Sequence, residues 1–465
     1  MYSRLLAGDP TWNGRFFTGV RTTGIYCLPS CKARKPKAEN VTFFPTCEAA
    51  RAAGLRPCKK CHPDDYAQGA DPVRETIETV VAELRAAPSR FRDARAVVTR
   101  TGFGSTRAFE LFRLHYHTTP AELLTRARVD FAAAQLLRTQ DPLLDVAAAA
   151  GFESVSAFHD QFRSLTGLTP GDYRRLPSAK DFCVQLPADT SVPYLRRALS
   201  RDPHSLTERW EGDTYTCAVR LNANPALLTL RFADLNVHVT TTGDAVGSHR
   251  VVAGLLGLRQ DAEGFARLAR KLGLGRLVRD RAGLRLSQTH SVFEGLLWAI
   301  IGQQINFPFA CQLRRRLFEL AGTPLADGLV APPIADAVAA LKPAALIARQ
   351  FSRQKAAYLI DTARLVAGGQ LDLEALPTAS ATTAERTLLA VRGLGPWSVN
   401  YLMMRALGFA DCVPYGDTGV TSGLQTLFDL DTRPDVDATR RLMAVFAPHR
   451  SLATAHLWQL SQPIA

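Results

Sequence analysis

The sequence predicts a multidomain protein of the α+β class, because four successive segments differ in composition and periodicity. A chain of 465 residues is too long for one ordinary hydrophobic core, so two to four domains are expected. Residues 1–70 are rich in cysteine, glycine and aromatic residues, whereas residues 72–178 are rich in alanine and leucine with helical periodicity. Residues 180–278 contain runs of valine, threonine and aromatic residues that predict strands, and residues 279–465 return to helical patterns. These four segments are the domains that we expect.

The composition is that of a globular protein with a basic surface. Hydrophobic residues make up 46% of the chain, and Lys plus Arg exceed Asp plus Glu by 13 (56 against 43). This excess favours a polyanionic partner, although basic charge alone does not distinguish nucleic acid from a membrane surface. No apolar run reaches the roughly 18–20 residues that span a bilayer. The odd number of cysteines, nine, without a secretory signal indicates a reducing compartment. We therefore expect a cytoplasmic protein without a membrane partner.

Four cysteines in the first segment have the spacing of metal ligands. Three residues separate Cys27 from Cys31 and two separate Cys58 from Cys61, which fits two knuckles that close a tetrahedral site. Four thiolates without a histidine or carboxylate favour one Zn²⁺ ion over harder cations. We therefore expect a small zinc-binding α/β domain, and the commonest role of such a site is structural.

The residues alone leave a second role open for these sulfurs. Zn²⁺ with four thiolates has a formal charge of 2 − 4 = −2, so the sulfurs stay electron-rich, and the thiolate is the nucleophilic form of cysteine. The surrounding cations either attract DNA phosphates or only solvate the domain and balance the cluster. Arg34 and Lys35, close to Cys31, are our candidates for contacts with phosphate. The cations are Arg21, Lys32, Arg34, Lys35, Lys37, Arg56, Lys59 and Lys60.

A longer part of the first segment resembles a known family. The stretch "FFTGVRTTGIYCLPSCKARKPKAENVTFF", with "AGLRPCKKCHPD" after it, is similar to the N-terminal domain of the Ada adaptive-response proteins over residues 9–66. The resemblance implies that Cys27 accepts a methyl group from a DNA phosphotriester, while Cys31, Cys58 and Cys61 remain spectator ligands. Methylation turns Cys27 into a thioether and lowers the formal charge of the site from −2 to −1, which should strengthen binding to DNA. We expect the transfer to be stoichiometric and irreversible.

The second segment contains an internal repeat. The unit "GFGSTRAFELFRLHYHTTPAELL" at position 102 returns as "GFESVSAFHDQFRSLTGLTPGDYRR" at position 151, 49 residues later. Each unit predicts two helices joined by a turn, and the segment resembles the all-α double helix-turn-helix domain of the AraC/XylS type, whose second helices enter the major groove. The first unit departs from that family at its end, where "LHYHTTP" replaces a glycine-containing turn. Phe152, Phe158 and Phe162 are expected in the core. The candidates for base contacts are Thr106, Arg107, Glu153, Ser154, Ser156 and His159.

The last segment contains a glycine-rich connection between helices and an acidic residue downstream. In "LAVRGLGPWSVNYLMMRALG", Gly393 and Gly395 let the backbone approach a phosphate near a helix N-terminus, although the pattern alone equally fits a tight turn. Asp417 follows Gly395 by 22 residues. With "AIIGQQI" and the final "HLW", the pattern resembles the helix-hairpin-helix base-excision glycosylases. Over residues 180–463 it resembles the AlkA-type 3-methyladenine DNA glycosylase II.

This resemblance implies the architecture and the reaction of the second half. It implies a β-rich, TBP-like domain over residues 180–278 and an all-α helix-hairpin-helix domain over residues 279–465, with Asp417 as the catalytic carboxylate. A fixed carboxylate stabilises the oxocarbenium character that develops as an N-glycosidic bond breaks, after the base has been flipped from the stack. An ordinary loop carboxylate or helix N-cap is the alternative for Asp417.

Further positions follow from the same resemblance. Trp397, Tyr401 and Trp458 match aromatic positions of the cleft, and Gln304 matches the wedge that fills the gap left by the flipped base. A capping or core glutamine is the alternative for Gln304, and Trp298 and Phe309 are expected in the core.

Two features of the last segment narrow the chemistry. Bifunctional relatives carry a lysine directly after the hairpin glycines, where it forms a Schiff base, whereas Pro396 and Trp397 follow here. We therefore expect a monofunctional glycosylase. No four-cysteine cluster follows the hairpin, so we expect no iron–sulfur cluster.

The sequence as a whole predicts a fusion protein that responds to DNA alkylation. It would accept methyl groups on Cys27, activate transcription when methylated and excise alkylated purines. The expected partners are double-stranded alkylated DNA, promoter DNA and RNA polymerase. The alternative is a transcription regulator with a structural zinc site and a C-terminal half that is a non-catalytic DNA-binding platform.

Overall fold

The computed structural model describes residues 1–9 and 12–460, in two compact units. Sheets occur in the first unit and in the middle of the chain, and helices predominate elsewhere. This confirms the multidomain α+β class. Within the described residues, no helix combines the length and the hydropathy that a membrane span needs.

The first unit, residues 1–83 with 100–102, is built on a small sheet. Its strands are β1 (Phe17–Val20), β2 (Ile25–Cys27), β3 (Val41–Phe44) and β4 (Arg56–Pro57), and its helices α1 (Tyr2–Ala7), α2 (Cys47–Ala52) and α3 (Pro63–Ala67) precede α4 (Pro72–Ala86). The strand order is β3-β1-β2-β4, in which β2 and β4 are parallel and the other pairs are antiparallel. Phe17, Tyr26 and Cys47 form its core.

The helical repeat forms two helix-turn-helix units joined by a long helix. The helices are α5 (Ala94–Arg100), α6 (Ser105–Tyr116), α7 (Pro120–Arg138), α8 (Leu143–Ala149), α9 (Val155–Thr166) and α10 (Pro170–Arg175). The repeated "TP" pairs start α7 and α10: Thr119 accepts from the Glu122 N–H at 3.3 Å, and Thr169 accepts from the Asp172 N–H at 3.1 Å. Three phenylalanines of the second unit are buried, as predicted: Phe152, Phe158 and Phe162.

An antiparallel sheet of five strands follows. Its elements are β5 (Asp181–Gln185), α11 (Val192–Leu199), β6 (Glu208–Glu211), β7 (Thr214–Leu221), β8 (Asn224–Ala233), β9 (Asn236–Thr241), α12 (Ala245–Leu256) and α13 (Ala262–Lys271). The strand order is β5-β9-β8-β7-β6. Asn222 and Ala223, with φ of 48° and 68°, form the two-residue turn between β7 and β8. The runs predicted as strands correspond to β7, β8 and β9.

The remaining helices pack around two hydrophobic cores. They are α14 (Val292–Ile301), α15 (Phe307–Ala321), α16 (Ala335–Ala339), α17 (Pro343–Ile347), α18 (Arg353–Ala367), α19 (Ala381–Leu389), α20 (Pro396–Arg405), α21 (Thr418–Phe428), α22 (Val436–Ala444) and α23 (Arg450–Leu460). One core surrounds the apolar α14, and the other joins α13 to α21, α22 and α23. Trp458 packs against both cores. A short ladder of β10 (Thr323–Pro324) and β11 (Val330–Ala331) adds two strands to the predicted all-α domain.

Candidate functional sites

The four cysteines form one cluster at the ends of two neighbouring strands. Cys27 ends β2, and Cys58 directly follows β4, which lies parallel to β2. The Cys58 N–H donates to the carbonyl of Tyr26 at 3.0 Å, so the two knuckles leave the sheet side by side. All four sulfurs lie within 4.8 Å of one another, and those of Cys31 and Cys58 are 3.9 Å apart. The structure thus brings the four predicted ligands together.

The cluster fits a soft divalent cation. Three of its cysteines are buried, and Cys61 is partly exposed. The neighbouring thiols of Cys31 and Cys61, followed by burial, raise the pKa of the Cys27 thiol. Four sulfurs this close cannot all lose their protons without a compensating positive charge. Four cysteine sulfurs are a ligand set that binds Zn²⁺, which supplies that charge.

The four sulfurs differ in their hydrogen bonds to the backbone. Two of them accept an N–H, with Lys60 donating to Cys58 at 3.4 Å and Leu28 to Cys61 at 3.4 Å. The thiols of Cys27 and Cys61, and after them the Ala33 backbone, lower the pKa of the Cys31 thiol. In the part of this domain that the structure describes, no backbone N–H is positioned to donate to Cys27. A hydrogen bond stabilises a thiolate and reduces its tendency to attack. The backbone therefore stabilises the Cys27 sulfur least.

Arg34 and Lys35 have different surroundings. The Lys35 ammonium donates to the carbonyls of Cys31 at 2.9 Å and Pro29 at 3.3 Å, and burial lowers the pKa of Lys35. Lys35 therefore braces the first knuckle from within, whereas Arg34 is exposed and available to a phosphate. The exposed cations of the predicted basic surround are Arg21, Lys32, Arg34, Lys37, Arg56, Lys59 and Lys60.

The predicted base-contact residues lie at the starts of α6 and α9. Ser154 caps α9, since its hydroxyl accepts from the Ala157 N–H at 3.3 Å. Arg107 lies 3.2 Å from Glu110, so its charge is already paired. Thr106, Glu153, Ser154 and Ser156 are exposed, whereas Arg107 and His159 are half-buried.

The two hairpin glycines have different conformations and surroundings. Gly393 has φ of 95°, and a Cβ there would lie 2.5 Å from the ring of Tyr358. Gly395 has extended backbone as the N-cap of α20, and no protein atom lies within 4 Å of the position of a Cβ. Gly393 is therefore fixed by the turn and its packing. The open surface at Gly395 adjoins a helix N-terminus that suits an anion.

Asp417 lies between two tryptophans at the N-terminus of α21. Its Oδ1 accepts from the Val420 N–H at 3.0 Å and from Trp458 Nε1 at 2.9 Å. Its Oδ2 accepts from Trp397 Nε1 at 3.3 Å. Asp417 is therefore a helix N-cap, as the simpler interpretation predicts, and α20 and α23 also hold it through their indoles. Such fixed donors give the carboxylate the preorganised position that electrostatic catalysis needs.

Three aromatic side chains form a wall beside this carboxylate. The rings of Trp397 and Tyr401 are stacked, with centroids 5.3 Å apart and 19° between their planes, and Trp458 lies 6.3 Å from Tyr401. Trp298, predicted in the core, is only partly buried and donates through Nε1 to the Tyr401 hydroxyl at 2.9 Å. Trp298 and Phe309 both pack against the core around α14, as predicted, and Trp298 also supports the wall through this hydrogen bond. A flat base can stack on such a wall.

Gln304 projects from the loop between α14 and α15. Its side chain is exposed, and its φ is 57°. The neighbouring Gln303 anchors this loop to the hairpin, because its Nε2 donates to the Gly393 carbonyl at 2.8 Å and to Ser398 Oγ at 2.9 Å. The loop position of Gln304 is consistent with the wedge prediction, and its exposure makes a core role untenable.

Lys355 supports the same loop, and our sequence reasoning missed it together with Gln303. Its ammonium donates to the carbonyls of Ile301 at 2.5 Å and Gln303 at 2.7 Å, and burial lowers the pKa of Lys355 to about 8. The glutamine pair in "GQQ" was the only local signal for such an anchor.

Three family models match the chain in the order of its segments. Residues 1–64 match the metal binding domain of Ada, residues 97–176 match a helix-turn-helix domain, and residues 297–449 match the HhH-GPD superfamily of base excision DNA repair proteins. A Mycobacterium tuberculosis protein named probable bifunctional transcriptional activator/DNA repair enzyme AlkA is 28% identical, over 100% of this chain and 96% of its own. These three matches and this relative support the predicted fusion of an Ada-type and an AlkA-type part.

Two further proteins are similar to part of the chain, in keeping with the predicted AlkA-type half. A Bacillus subtilis DNA-3-methyladenine glycosylase is 34% identical over 38% of this chain and 60% of its own. The solved structure of a 3-methyladenine DNA-glycosylase from Archaeoglobus fulgidus covers 60% of this chain and 97% of its own, with a TM-score of 0.54 at 20% identity. The second likeness confirms the predicted fold of this half.

Proposed function

We propose that this Ada–AlkA fusion repairs alkylated DNA by two reactions and regulates transcription in response. Cys27 takes a methyl group from a phosphotriester, and the aromatic cleft excises alkylated purines. The observation that carries the proposal is the position of Asp417, which two indole N–H groups hold beside a stacked aromatic wall. The helix-turn-helix units then read promoter DNA, with RNA polymerase as the partner of an activator.

In the excision reaction, the N-terminus of α20 binds a backbone phosphate while the damaged nucleotide leaves the stack. The alkylated purine lies against Trp397 and Tyr401, and Gln304 fills the gap. The bond between C1′ and the base nitrogen breaks, the electron pair leaves with the base, and the Asp417 carboxylate stabilises the positive charge on the sugar. Water adds to C1′ and releases a proton to solvent. Pro396 and Trp397 stand after the hairpin glycines, where a Schiff-base lysine would be needed, so the product is an abasic site.

Replacement of Asp417 by Asn tests the excision reaction. The amide keeps the size and the helix cap but removes the charge, so single-turnover excision of 3-methyladenine from duplex DNA should fall by about 100-fold or more. Binding of the same duplex should be unchanged. Asp435→Asn is the matched control, because Asp435 also caps a helix, accepting from the Ala438 N–H at 2.7 Å, without an indole partner.

The two outcomes of this experiment separate the candidate functions. Excision by Asp417→Asn at the wild-type rate would exclude Asp417 as the catalytic carboxylate. A wild-type chain that binds the duplex and excises nothing would instead support the regulator with a non-catalytic platform.

In the methyl transfer, the Cys27 thiolate attacks the methyl carbon of the phosphotriester. The carbon–oxygen bond breaks, the phosphodiester leaves with the electron pair, and a thioether remains on the protein. Bound Zn²⁺, held by the four cysteines, supplies the positive charge that keeps the sulfurs deprotonated. Cys27 lacks a backbone donor such as those of Cys58 and Cys61, which supports it as the most nucleophilic sulfur. The exposed cations provide the attraction to phosphate.

Mass spectrometry of the zinc-loaded chain tests this transfer. After incubation with a duplex that carries one methylphosphotriester, each molecule should carry a single methyl group on the Cys27 peptide. Cys47, a buried thiol outside the cluster, is the internal control and should remain unmodified. A methyl group on the more exposed Cys61, or several methyl groups per molecule, would contradict the proposal.

A further inference from the structure

The ends of α6 and α9 differ in a way that the helix-turn-helix role does not explain. Gly167 follows α9 with φ of 72°, and His117 follows α6 in the same left-handed conformation, with φ of 53°. The left-handed region favours glycine, so His117 accepts backbone strain that the second unit avoids. The "LHYH" departure of the first unit therefore requires another explanation.

The last turn of α6 contacts the start of α19. His115 is buried, and its Nδ1 is hydrogen-bonded to Thr382 Oγ1 at 2.9 Å. Thr382 lies in the first turn of α19, the helix that leads into the hairpin. Both elements belong to the second compact unit of the chain. Through α19, the first helix-turn-helix unit is joined to the hairpin that precedes Trp397.

His117 contacts the segment that leads from α20 to Asp417. The Asp411 N–H donates to His117 Nδ1 at 3.2 Å, and the His117 ring meets Phe409 edge-on with centroids 5.5 Å apart. Burial lowers the pKa of His117 to about 4, so at neutral pH the ring nitrogen is free to accept this hydrogen bond.

The same contact reaches the helix that carries Trp458. The Asp411 carboxylate accepts from Arg450 Nε at 2.8 Å and from Arg450 Nη2 at 2.7 Å, and also from the Arg450 backbone N–H at 3.1 Å. Arg450 begins α23, whose Trp458 donates to Asp417. His115 contacts α19, which leads into the hairpin before α20, and His117 contacts Asp411, which binds the start of α23. The two histidines are thereby linked to both helices whose indoles hold the Asp417 carboxylate.

We propose that the end of α6 is an interdomain latch, in which His117 is a positioning residue for the carboxylate of Asp417. This inference rests on the proposed excision reaction. The first helix-turn-helix unit thereby becomes part of the glycosylase. The latch holds in place the segment from Phe409 to Asp417 and the start of α23. The exposed Thr106 at the other end of α6 remains open to solvent.

Replacement of His117 in the full-length chain tests the latch. His117→Gly keeps the left-handed turn and removes both the acceptor and the ring, so single-turnover excision of 3-methyladenine at saturating enzyme should slow by about three- to tenfold. The dissociation constant for the same duplex should not change. His117→Asn should restore most of the rate, because asparagine adopts the left-handed conformation and its Oδ1 can accept from the Asp411 N–H. Leu114→Ala, at an exposed position of the same helix, is the matched control.

Three results would overturn the latch. They are an unchanged excision rate in His117→Gly, a loss confined to DNA affinity, and a failure of His117→Asn to restore the rate in a folded chain. Hydrogen exchange of residues 409–417 provides a second measurement, since it should be faster in His117→Gly than in the wild type and the Leu114→Ala control. A wild-type chain that excises nothing would refute the proposed reaction, and equal exchange in that case would also refute the latch.

Discussion

The thiolate cluster and the aromatic cleft are built in opposite ways. The cluster uses side chains from residues 27–61, placed by two adjacent parallel strands. The cleft collects side chains from residues 298–458, carried by helices that are distant in sequence. A short segment with four sulfurs depends on a metal for its stability, whereas a dispersed site depends on the packing of the helices that carry it. Removing the metal should therefore disable one centre and spare the other.

A buried polar network lies beside the cleft and shows how helix packing maintains a dispersed site. Glu294 accepts from Arg314 at 2.7 Å and from His290 at 3.1 Å, and Arg314 also lies 3.3 Å from Glu208. Glu294 and Arg314 line the same pocket as Trp298 and Tyr401. These charges fix the position of α14 against its neighbours.

Loss of the metal should have the largest effect. Cys31→Ala, or treatment of the chain with a strong chelator, should unfold the first domain and abolish methyl transfer, because the folding of a small four-cysteine site is coupled to metal binding. Excision of 3-methyladenine should stay within about twofold of the wild-type rate, since the cluster and the cleft residues belong to different compact units. Limited proteolysis and the two activity assays on the same sample measure both effects.

A matched substitution identifies the cause of that loss. Cys47→Ser changes a buried thiol outside the cluster, whose sulfur donates to the Pro63 carbonyl at 3.4 Å. It should retain both activities and one zinc ion per chain. Methyl transfer by a chelated chain, or a loss of excision in parallel with methyl transfer, would contradict the prediction that only the thiolate cluster depends on the metal.

The local features of the chain could be predicted from sequence alone. Cys27, Cys31, Cys58 and Cys61 were identified by spacing, because two short knuckles determine the site geometry without long-range contacts. The strands from 214 to 241 and the helical repeat also followed from local periodicity. In each case the information lies within a few dozen consecutive residues.

The cleft could be predicted only in part. The role of Asp417 came from the resemblance, and its two interpretations proved compatible, since a helix cap can also face an aromatic wall. Trp298 was predicted in the core and packs against it, but its hydrogen bond to the Tyr401 hydroxyl could not be predicted from the sequence. Lys355 and His117 act through backbone groups of segments far away in sequence. No pattern of residue types records such contacts.

The smallest predicted effect is a change in stability when the buried polar network around Glu294 is altered. Burial alone would raise the pKa of Glu294, but His290 and Arg314 hold it down at about 2, below its ordinary value of 4.5. A depressed carboxyl pKa stabilises the fold above pH 4.5, and this contribution is lost as the pH falls from 4.5 towards 2. Glu294→Gln takes the carboxylate from His290 and leaves Arg314 with Glu208 alone, so the free energy of unfolding around α14 should fall by about 3 kcal/mol at pH 7. The difference in unfolding free energy between this variant and the wild type should narrow as the pH falls below 4.5.

Hydrogen exchange of α14 measures the free energy of unfolding with and without zinc, and the metal should make no difference. The matched control is Glu263→Gln, which breaks an exposed pair with Arg267 and should cost less than about 0.5 kcal/mol. An equal cost for both substitutions would show that packing alone, without the buried charges, maintains the cleft.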